Sequence, residues 1–293
     1  MDPTTYPRTP PGWTAVARRS IGPFTTHVTF RRPDGSTVEW SSRGHRKHAS
    51  RLSRIRRREL VHWAPRRASW WIAVLFAAGS VCFLVAPFPG FLQLVGAAVD
   101  GAVFFAGSLL FTSAAFLQWL ETINANRGPA GAAGRLRLLS FEPHRIDWWS
   151  AGVQLAGTLF FNATTFRALQ TGLDSPSYDR LVWRPDALGS VCFLVSGYLA
   201  YVEVTGHLLG RPRRTLESAV VTVNLVGCLA FGVSAVASHV VPTTGSERNL
   251  AAVNTFTALG ALCFLIGAIL MLPEGANASV SATSAEKQRQ PRR

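Results

Sequence analysis

The chain has 293 residues, of which only 16% are charged, yet its formal net charge is +14. Soluble domains carry about a quarter charged residues, so a composition in which long apolar runs alternate with arginine-rich segments does not fit an average soluble domain. The four cysteines all lie within apolar runs and lack CxxC or Cys/His spacing, which argues against a zinc site.

The first 68 residues are polar and basic and predict a small cytoplasmic N-terminal region. Within it, residues 24–41 alternate in polarity on either side of Pro33-Asp34-Gly35, which predicts a β-hairpin. Residues 42–67 are rich in arginine and adjoin the first apolar run. We interpret this basic segment as an anchor on anionic lipid headgroups, in preference to a nucleic-acid-binding segment.

Six apolar runs are each long enough to cross a bilayer as a helix. They predict an all-α fold, a polytopic bundle of six transmembrane helices within residues 69–272, followed by a disordered cytoplasmic tail over residues 273–293. Residues 88–98 are also apolar and are expected to lie along the interface or to extend the second helix. The six runs are residues 69–87, 99–120, 148–167, 187–208, 217–240 and 250–272.

Lys and Arg are concentrated in the N-terminal region, in the second and fourth connections between spans, and in the tail. Short loops rich in these residues stay on the cytoplasmic side. The distribution therefore predicts a protein of the cytoplasmic (inner) membrane with both termini in the cytoplasm.

One motif recurs in all six runs: a glycine, a small residue, two further residues and then a phenylalanine. Residues 79–85 return letter for letter as residues 189–195. Positions i and i+4 share a helix face, so each run places a glycine, which has no side chain, one helical turn from a phenylalanine ring. This arrangement suits close helix packing in lipid. The motif pairs are Gly79 and Phe83, Gly107 and Phe111, Gly157 and Phe161, Gly189 and Phe193, Gly227 and Phe231, and Gly260 and Phe264.

The spacing of these copies fits two interpretations. One is a 3+3 duplication of residues 69–167 and 187–272 with opposite orientations, as in many secondary transporters. The other is multiplication of a two-helix unit, because every span carries the motif.

The Gly-Ser-x-x-Phe-Leu pattern at residues 79–84, repeated at 189–194 and in shorter form at 107–111, resembles the YrhK-like domain of bacterial membrane proteins. The wider arrangement over residues 69–272 looks like an uncharacterised actinobacterial group of multi-span proteins. The resemblance implies a membrane architecture and no catalytic or binding residue. It also draws on Trp70-Trp71 and on residues 116–121, 157–162 and 181–186.

Polar side chains within the spans are the candidate functional residues, because lipid penalises them. Glu121 and Glu203 each stand fourteen residues after a motif glycine, at the predicted cytoplasmic rim. They are expected either to pair with nearby arginines or to form an acidic lip that selects cations. His207 follows Glu203 by one helical turn. Four amides nearer mid-membrane either bond between helices or share a cavity: Gln154, Asn162, Asn224 and Asn254.

The chain contains no sequence motif of a Ser-His-Asp hydrolase, a zinc protease, a P-loop or a dinucleotide-binding fold. We therefore expect neither enzyme activity nor a metal or cofactor. The favoured function is a non-enzymatic structural or interaction protein of the membrane that contacts lipid and a partner or a second copy of itself. The alternative is a small-solute transporter or channel made of inverted three-helix repeats, with the amides as its pocket.

Overall fold

The computed structural model describes residues 9, 11–41, 65, 67–124, 136–170, 173–241 and 246–289. This part of the chain is mostly helical, with a small antiparallel sheet before the first helix. The basic segment of residues 42–67 lies outside the described residues apart from Pro65 and Arg67, so its contact with anionic lipid stays a prediction.

A three-stranded antiparallel sheet is formed by β1 (Thr14–Ile21), β2 (Phe24–Arg31) and β3 (Thr37–Ser41). The predicted hairpin is present as β2 and β3, and the N–H of Arg32 donates to the carbonyl of Ser36 at 2.8 Å in its turn. Val28 and Phe30 are buried against Trp13 and form the core of the sheet. The sequence did not predict β1, because nearly all its residues are exposed and it lacks the alternation of a half-buried strand.

The helical elements follow in chain order, and a short helix at Ser175–Tyr178 and a π-helical turn at Asp179–Trp183 lead directly into the long helix Arg184–Thr205. A two-stranded pair, β4 (Val240–Val241) and β5 (Ser246–Glu247), joins the last two helices. The helices are α1 (Ala68–Val85), α2 (Pro89–Asn124), α3 (Ile146–Ala168), α4 (Ser175–Tyr178), α5 (Arg184–Thr205), α6 (Leu216–Ala237) and α7 (Leu250–Arg289).

Five helices are long and apolar enough to cross a membrane: α1, α2, the continuous segment Ser175–Thr205, α6, and α7 as far as Leu272. The predicted third span, α3, is not among these five. Its polar side chains, including Asp147, Gln154 and Asn162, lower its hydropathy. The structure thus supports a membrane protein with five candidate spans, and a sixth crossing by α3 stays a prediction.

Two helices extend beyond the bounds of their predicted spans, the first of them in one of the two ways that the sequence predicted. Residues 89–98 extend the second helix, but Gly96 interrupts it with φ +80° and ψ 162°, a conformation that favours glycine. At the other end of the chain, α7 continues to Arg289, through most of the tail predicted to be disordered. The alanines of that segment favour helix.

The six long helices form a closed ring, because each packs against its neighbours in sequence and α7 packs against α1. The motif glycines lie where neighbouring helices approach closely. A Cβ atom at Gly79 would stand 2.6 Å from Phe111 and 3.0 Å from the carbonyl oxygen of Gly107, and one at Gly107 would stand 3.1 Å from Phe83. Equivalent reciprocal contacts join α3 to α5 and α6 to α7, through Gly157 and Phe193, Gly189 and Phe161, Gly227 and Phe264, and Gly260 and Phe231. Three helix pairs share this contact, whereas the 3+3 division stays a prediction.

The motif also separates the inward and outward faces of each helix. The small residue after each glycine is buried: Ser80, Ser108, Thr158, Ser190, Cys228 and Ala261. The residue two positions after each glycine is aliphatic and between 41% and 55% exposed: Val81, Leu109, Leu159, Val191, Leu229 and Leu262. An exposed aliphatic side chain at the same position of every helix is the pattern of a surface covered by lipid.

Candidate functional site: two cavities on the axis of the ring

The six motif phenylalanines meet inside the ring and form an aromatic core. Successive helices joined by short connections are antiparallel, and each ring follows its glycine by one turn, so the six rings form two layers of three. One layer comes from α1, α3 and α6 (Phe83, Phe161 and Phe231), and the other from α2, α5 and α7 (Phe111, Phe193 and Phe264). Neighbouring rings have centroids 4.9 to 6.2 Å apart.

A cavity of about 110 Å³, which we call the sheet-side cavity, is bounded by the layer of Phe111, Phe193 and Phe264. All six long helices contribute to its lining. Among the described residues, its charged and polar lining consists of acids, amides and hydroxyls, and none is Lys, Arg or His. These residues are Gln118, Glu121, Asp147, Ser150, Gln154, Ser196, Glu203 and Asn224.

A second cavity, the far-side cavity, has a volume of about 400 Å³ and is bounded by the other layer, Phe83, Phe161 and Phe231. Its described lining contains two carboxylates, Asp100 and Asp186, and again no Lys, Arg or His. Between the two layers only about 10 Å³ remains, lined by the rings with Ser108 and Thr158. That space is about enough for one water molecule, so the aromatic core closes the axis.

The predicted polar residues are divided between these cavities. Glu121, Glu203, Gln154 and Asn224 line the sheet-side cavity, and Asn254 lines the far-side cavity. Asn162 lines neither of them. The four amides therefore do not share one cavity, although Gln154 and Asn224 line the same one.

His207 does not occupy the helix face of Glu203, so that prediction is wrong. Helix α5 ends at Thr205, because Gly206 adopts a left-handed conformation with φ +76° and caps it. His207 is exposed in the following loop, whereas Glu203 is buried and only 8% exposed. The glycine at this position was the sequence signal for the helix end.

Hydrogen bonds within the sheet-side cavity join neighbouring helices. Gln118 donates to the side-chain oxygen of Gln154 at 3.5 Å. The hydroxyls of Ser150 and Ser196 each donate to the other residue's carbonyl, at 3.0 and 2.7 Å. The side-chain oxygen of Asn224 is buried and accepts no hydrogen bond from the described residues. The lining therefore presents more acceptor oxygens than donors.

One buried ion-pair group stands where α3 begins. The guanidinium of Arg145 is 3% exposed; its Nε donates to Asp147 at 3.0 Å and its Nη1 donates to Glu142 at 2.7 Å. Arg145 compensates the Asp147 carboxylate without lining the cavity. Gln118, Asp147 and the burial of Arg145 were not predicted from the sequence, which places Arg145 in a basic connection between two spans. The available signal was an arginine with acids three positions before it and two after it.

The N-terminal sheet packs against the same end of the helices. The N–H of Thr25 donates to the carbonyl of His144 at 3.3 Å, next to Arg145. Burial lowers the pKa of His27, and the charges of Arg19 and Arg213 lower it further. Arg213 belongs to the connection between α5 and α6, so β2 lies close to two of the connections around the sheet-side cavity.

Among the residues that the structure describes, no group of three or more His, Cys, Asp or Glu side chains is arranged to hold a metal ion. The acids that line the cavities are therefore spread around the axis. Comparisons of the chain with protein-family models, with curated proteins and with solved structures find no match.

Proposed function

We propose that this protein is a channel or transporter that conducts a small solute along the axis of its helix ring. The observation that carries the proposal is the pair of cavities on opposite sides of the aromatic core, each lined by all six long helices and each containing carboxylate, amide and hydroxyl side chains. Hydrophobic constrictions in channels block ions by excluding water. The two layers of phenylalanine are such a constriction, in a closed state.

The position of the polar groups favours conduction over a purely structural role. Amides and acids inside a membrane are costly and are retained mainly for function or for bonding between helices. Gln118, Gln154 and Asn224 line the sheet-side cavity together with Glu121 and Glu203, and Gln118 and Gln154 also bond to each other between α2 and α3. A structural or interaction protein has no need of a polar axis.

In this proposal α3 also crosses the membrane, and the sheet side faces the cytoplasm. The low hydropathy of α3 then has a simple cause, because Asp147, Ser150 and Gln154 face the sheet-side cavity and not the lipid. On the outer face of α3, Leu159, two positions after the motif glycine, is 55% exposed. A helix that lines an aqueous path is expected to be more polar than one that only faces lipid.

The test is ion flux from proteoliposomes that contain the purified protein. Phe231→Asn and Phe264→Asn each place an amide in one layer of the aromatic core, and we expect both variants to leak small ions faster than the unmodified protein. The matched control is Phe116→Asn, since Phe116 is 44% exposed on the outer surface. If both core variants are monodisperse in detergent and yet as tight as the unmodified protein, the proposed function is wrong and the structural role is favoured.

A further inference from the structure

We infer that the far-side cavity is a binding site for a small organic ammonium ion, that is, a protonated amine attached to an apolar or aromatic body. The ammonium group bonds to Asp100, and the rest of the ligand lies against the aromatic lining. This inference goes beyond the proposed function, because binding in the cavity requires no passage through the aromatic core.

The size of the far-side cavity suits an organic molecule. Its volume is about 400 Å³, which lies within the range of about 300–1,000 Å³ that is typical of small-molecule sites. The sheet-side cavity, at about 110 Å³, falls below that range. Of the two cavities, the far-side one is therefore the candidate ligand site.

Aromatic and aliphatic side chains make up most of the far-side lining. The layer of Phe83, Phe161 and Phe231 closes the cavity on one side, and Phe104 packs edge to face on Phe83 with ring centroids 5.6 Å apart. Metal cations such as Ca²⁺ and Mg²⁺ prefer a shell of oxygen ligands, whereas an organic ammonium ion is also attracted to the faces of aromatic rings. The lining therefore favours an organic cation. Its other aromatic residues are Phe88, Tyr178 and Trp183.

Asp100 supplies a carboxyl group that is open to a ligand. Its Oδ1 atom is buried and has no hydrogen-bond partner among the described residues. The other acid of the lining, Asp186, already has an interaction partner. A buried carboxylate without a partner is costly, and a cationic N–H donor supplies both the missing hydrogen bond and the opposite charge.

The far side of the ring offers Asp100 no basic side chain. Its four arginines are exposed, and none of them lines the cavity; nor does His239, whose ring packs against Trp183. The residues of the far-side connections that the structure does not describe, 171–172 and 242–245, contain no Lys, Arg or His. The positive charge is therefore expected from a ligand. The four arginines are Arg167, Arg180, Arg184 and Arg248.

Two departures from regular helix lie beside this cavity. Gly96 interrupts α2 four residues before Asp100, and the π-helical turn Asp179–Trp183 contributes Val182 to the lining. The hydroxyl of Thr164, another lining residue, donates to the carbonyl of Val182 at 3.1 Å and holds the turn against α3. Short π-helical segments are frequent at functional sites, so the backbone independently indicates the same cavity.

The experiment is equilibrium dialysis of the purified protein in detergent with naphthylethylammonium as the probe. Naphthylethanol is its neutral isostere, and protein-free micelles are the reference. We expect the protein to bind the ammonium compound on the order of tenfold more tightly than the alcohol. Equal binding of the two compounds, or no binding beyond that to micelles, overturns the inference without the use of any variant.

Asp100→Asn removes the charge with little change of shape. It should weaken binding of the ammonium compound on the order of tenfold and leave binding of the alcohol unchanged. The control Asp174→Asn removes an exposed acid of the far side, and Asn preserves the cap in which Asp174 accepts from the N–H of Ser177. Equal losses in the two variants overturn the inference, because general surface charge is then responsible.

The aromatic lining is tested by a pair of adjacent residues. Phe104→Leu should weaken binding of the ammonium compound about threefold. Phe105→Leu should have no effect, because the Phe105 ring lies outside the lining and packs against Phe166. Equal effects of the two substitutions contradict the contribution of the aromatic rings.

A lipid headgroup is the other source of an ammonium group. Ethanolamine phospholipid carries one, but its phosphate would meet carboxylates and no described basic side chain in the cavity. Adding this lipid to the micelles should therefore leave the affinity for the probe unchanged. Competition by the lipid assigns the site to a headgroup and overturns the inference. None of these measurements depends on conduction, so a negative result here leaves the proposed function standing.

Discussion

Gly79 leaves the space on its helix that the ring of Phe111, on the neighbouring helix, occupies. A Cβ atom at Gly79 would stand 2.6 Å from Cδ2 of the Phe111 ring, and the ring reaches the centre of the bundle only because that atom is absent. The glycine therefore does more than bring two backbones together. It sets the position of a ring in the layer that closes the sheet-side cavity.

The first prediction concerns this contact. Gly79→Ala should lower stability by about 1–3 kcal/mol, the usual cost of overpacking, because both the Phe111 ring and the carbonyl of Gly107 must move. Gly90→Ala is the control, since no atom lies within 4 Å of a Cβ there. Thermal unfolding in detergent compares the two variants, and equal melting temperatures would contradict the packing role.

The second prediction concerns the buried charge group. Arg145→Gln leaves the Asp147 and Glu142 carboxylates without their guanidinium, and losing one partner of a buried ion pair costs about 3–5 kcal/mol. Arg184 and Asp179 form an exposed pair at 2.9 Å, with Arg184 64% exposed, and Arg184→Gln should cost less than about 1 kcal/mol. Chemical unfolding of both variants measures the difference. Similar losses would show that the burial of Arg145 has little effect.

The third prediction is a pH dependence of the sheet. The folded protein lowers the pKa of His27 from its ordinary value of 6.5 through burial and through Arg19 and Arg213. The fold thus favours neutral His27, and this contribution to stability is complete above pH 6.5 and is lost as the pH falls through the folded pKa.

An NMR titration of labelled His27 measures that pKa directly. Arg213→Gln should raise it, because one of the nearby positive charges is removed. Arg211→Gln, in the same connection, should have a smaller effect. If Arg213→Gln leaves the titration unchanged, the sheet does not pack near the connection between α5 and α6.

The fourth prediction concerns orientation in the membrane. Leu209, 94% exposed between α5 and α6, is on the sheet side, and Arg248 is exposed before α7 on the other side. In a variant without the four native cysteines, Leu209→Cys should react with an impermeant thiol reagent only after cells are permeabilised, whereas Arg248→Cys should react in intact cells. The opposite result would reverse the predicted topology.

The local rules of this fold are legible in the sequence because they repeat at fixed offsets. The offset of four residues from Gly79 to Phe83 predicts a shared helix face. The offset of fourteen residues, from Gly107 to Glu121 and from Gly189 to Glu203, predicts that the two glutamates lie at a common height. Neither offset predicts which helices become neighbours. The two aromatic layers depend on closure of the ring between α1 and α7, a contact between distant parts of the chain.

The parts of the site that escaped prediction depend on tertiary contacts or on weak patterns. Arg145 and Asp147 are buried by the elements around them, and an arginine in a connecting loop is normally solvated. Strand β1 is an exposed edge whose residues show no alternation. His207 was placed on a helix that Gly206 ends, a case in which helical spacing was extended past a capping residue.

Closure of the ring has a consequence for how the chain is connected. The first and last long helices, α1 and α7, are neighbours. The start of α1 and the end of α7 both lie on the sheet side, so a linker could join the two termini and new termini could be placed in another connection. A circular permutant that begins at Thr215 and ends in the preceding connection would keep every helix pair joined by motif glycines intact. Its assembly would show that the order of the hairpins along the chain matters less than the contacts between them.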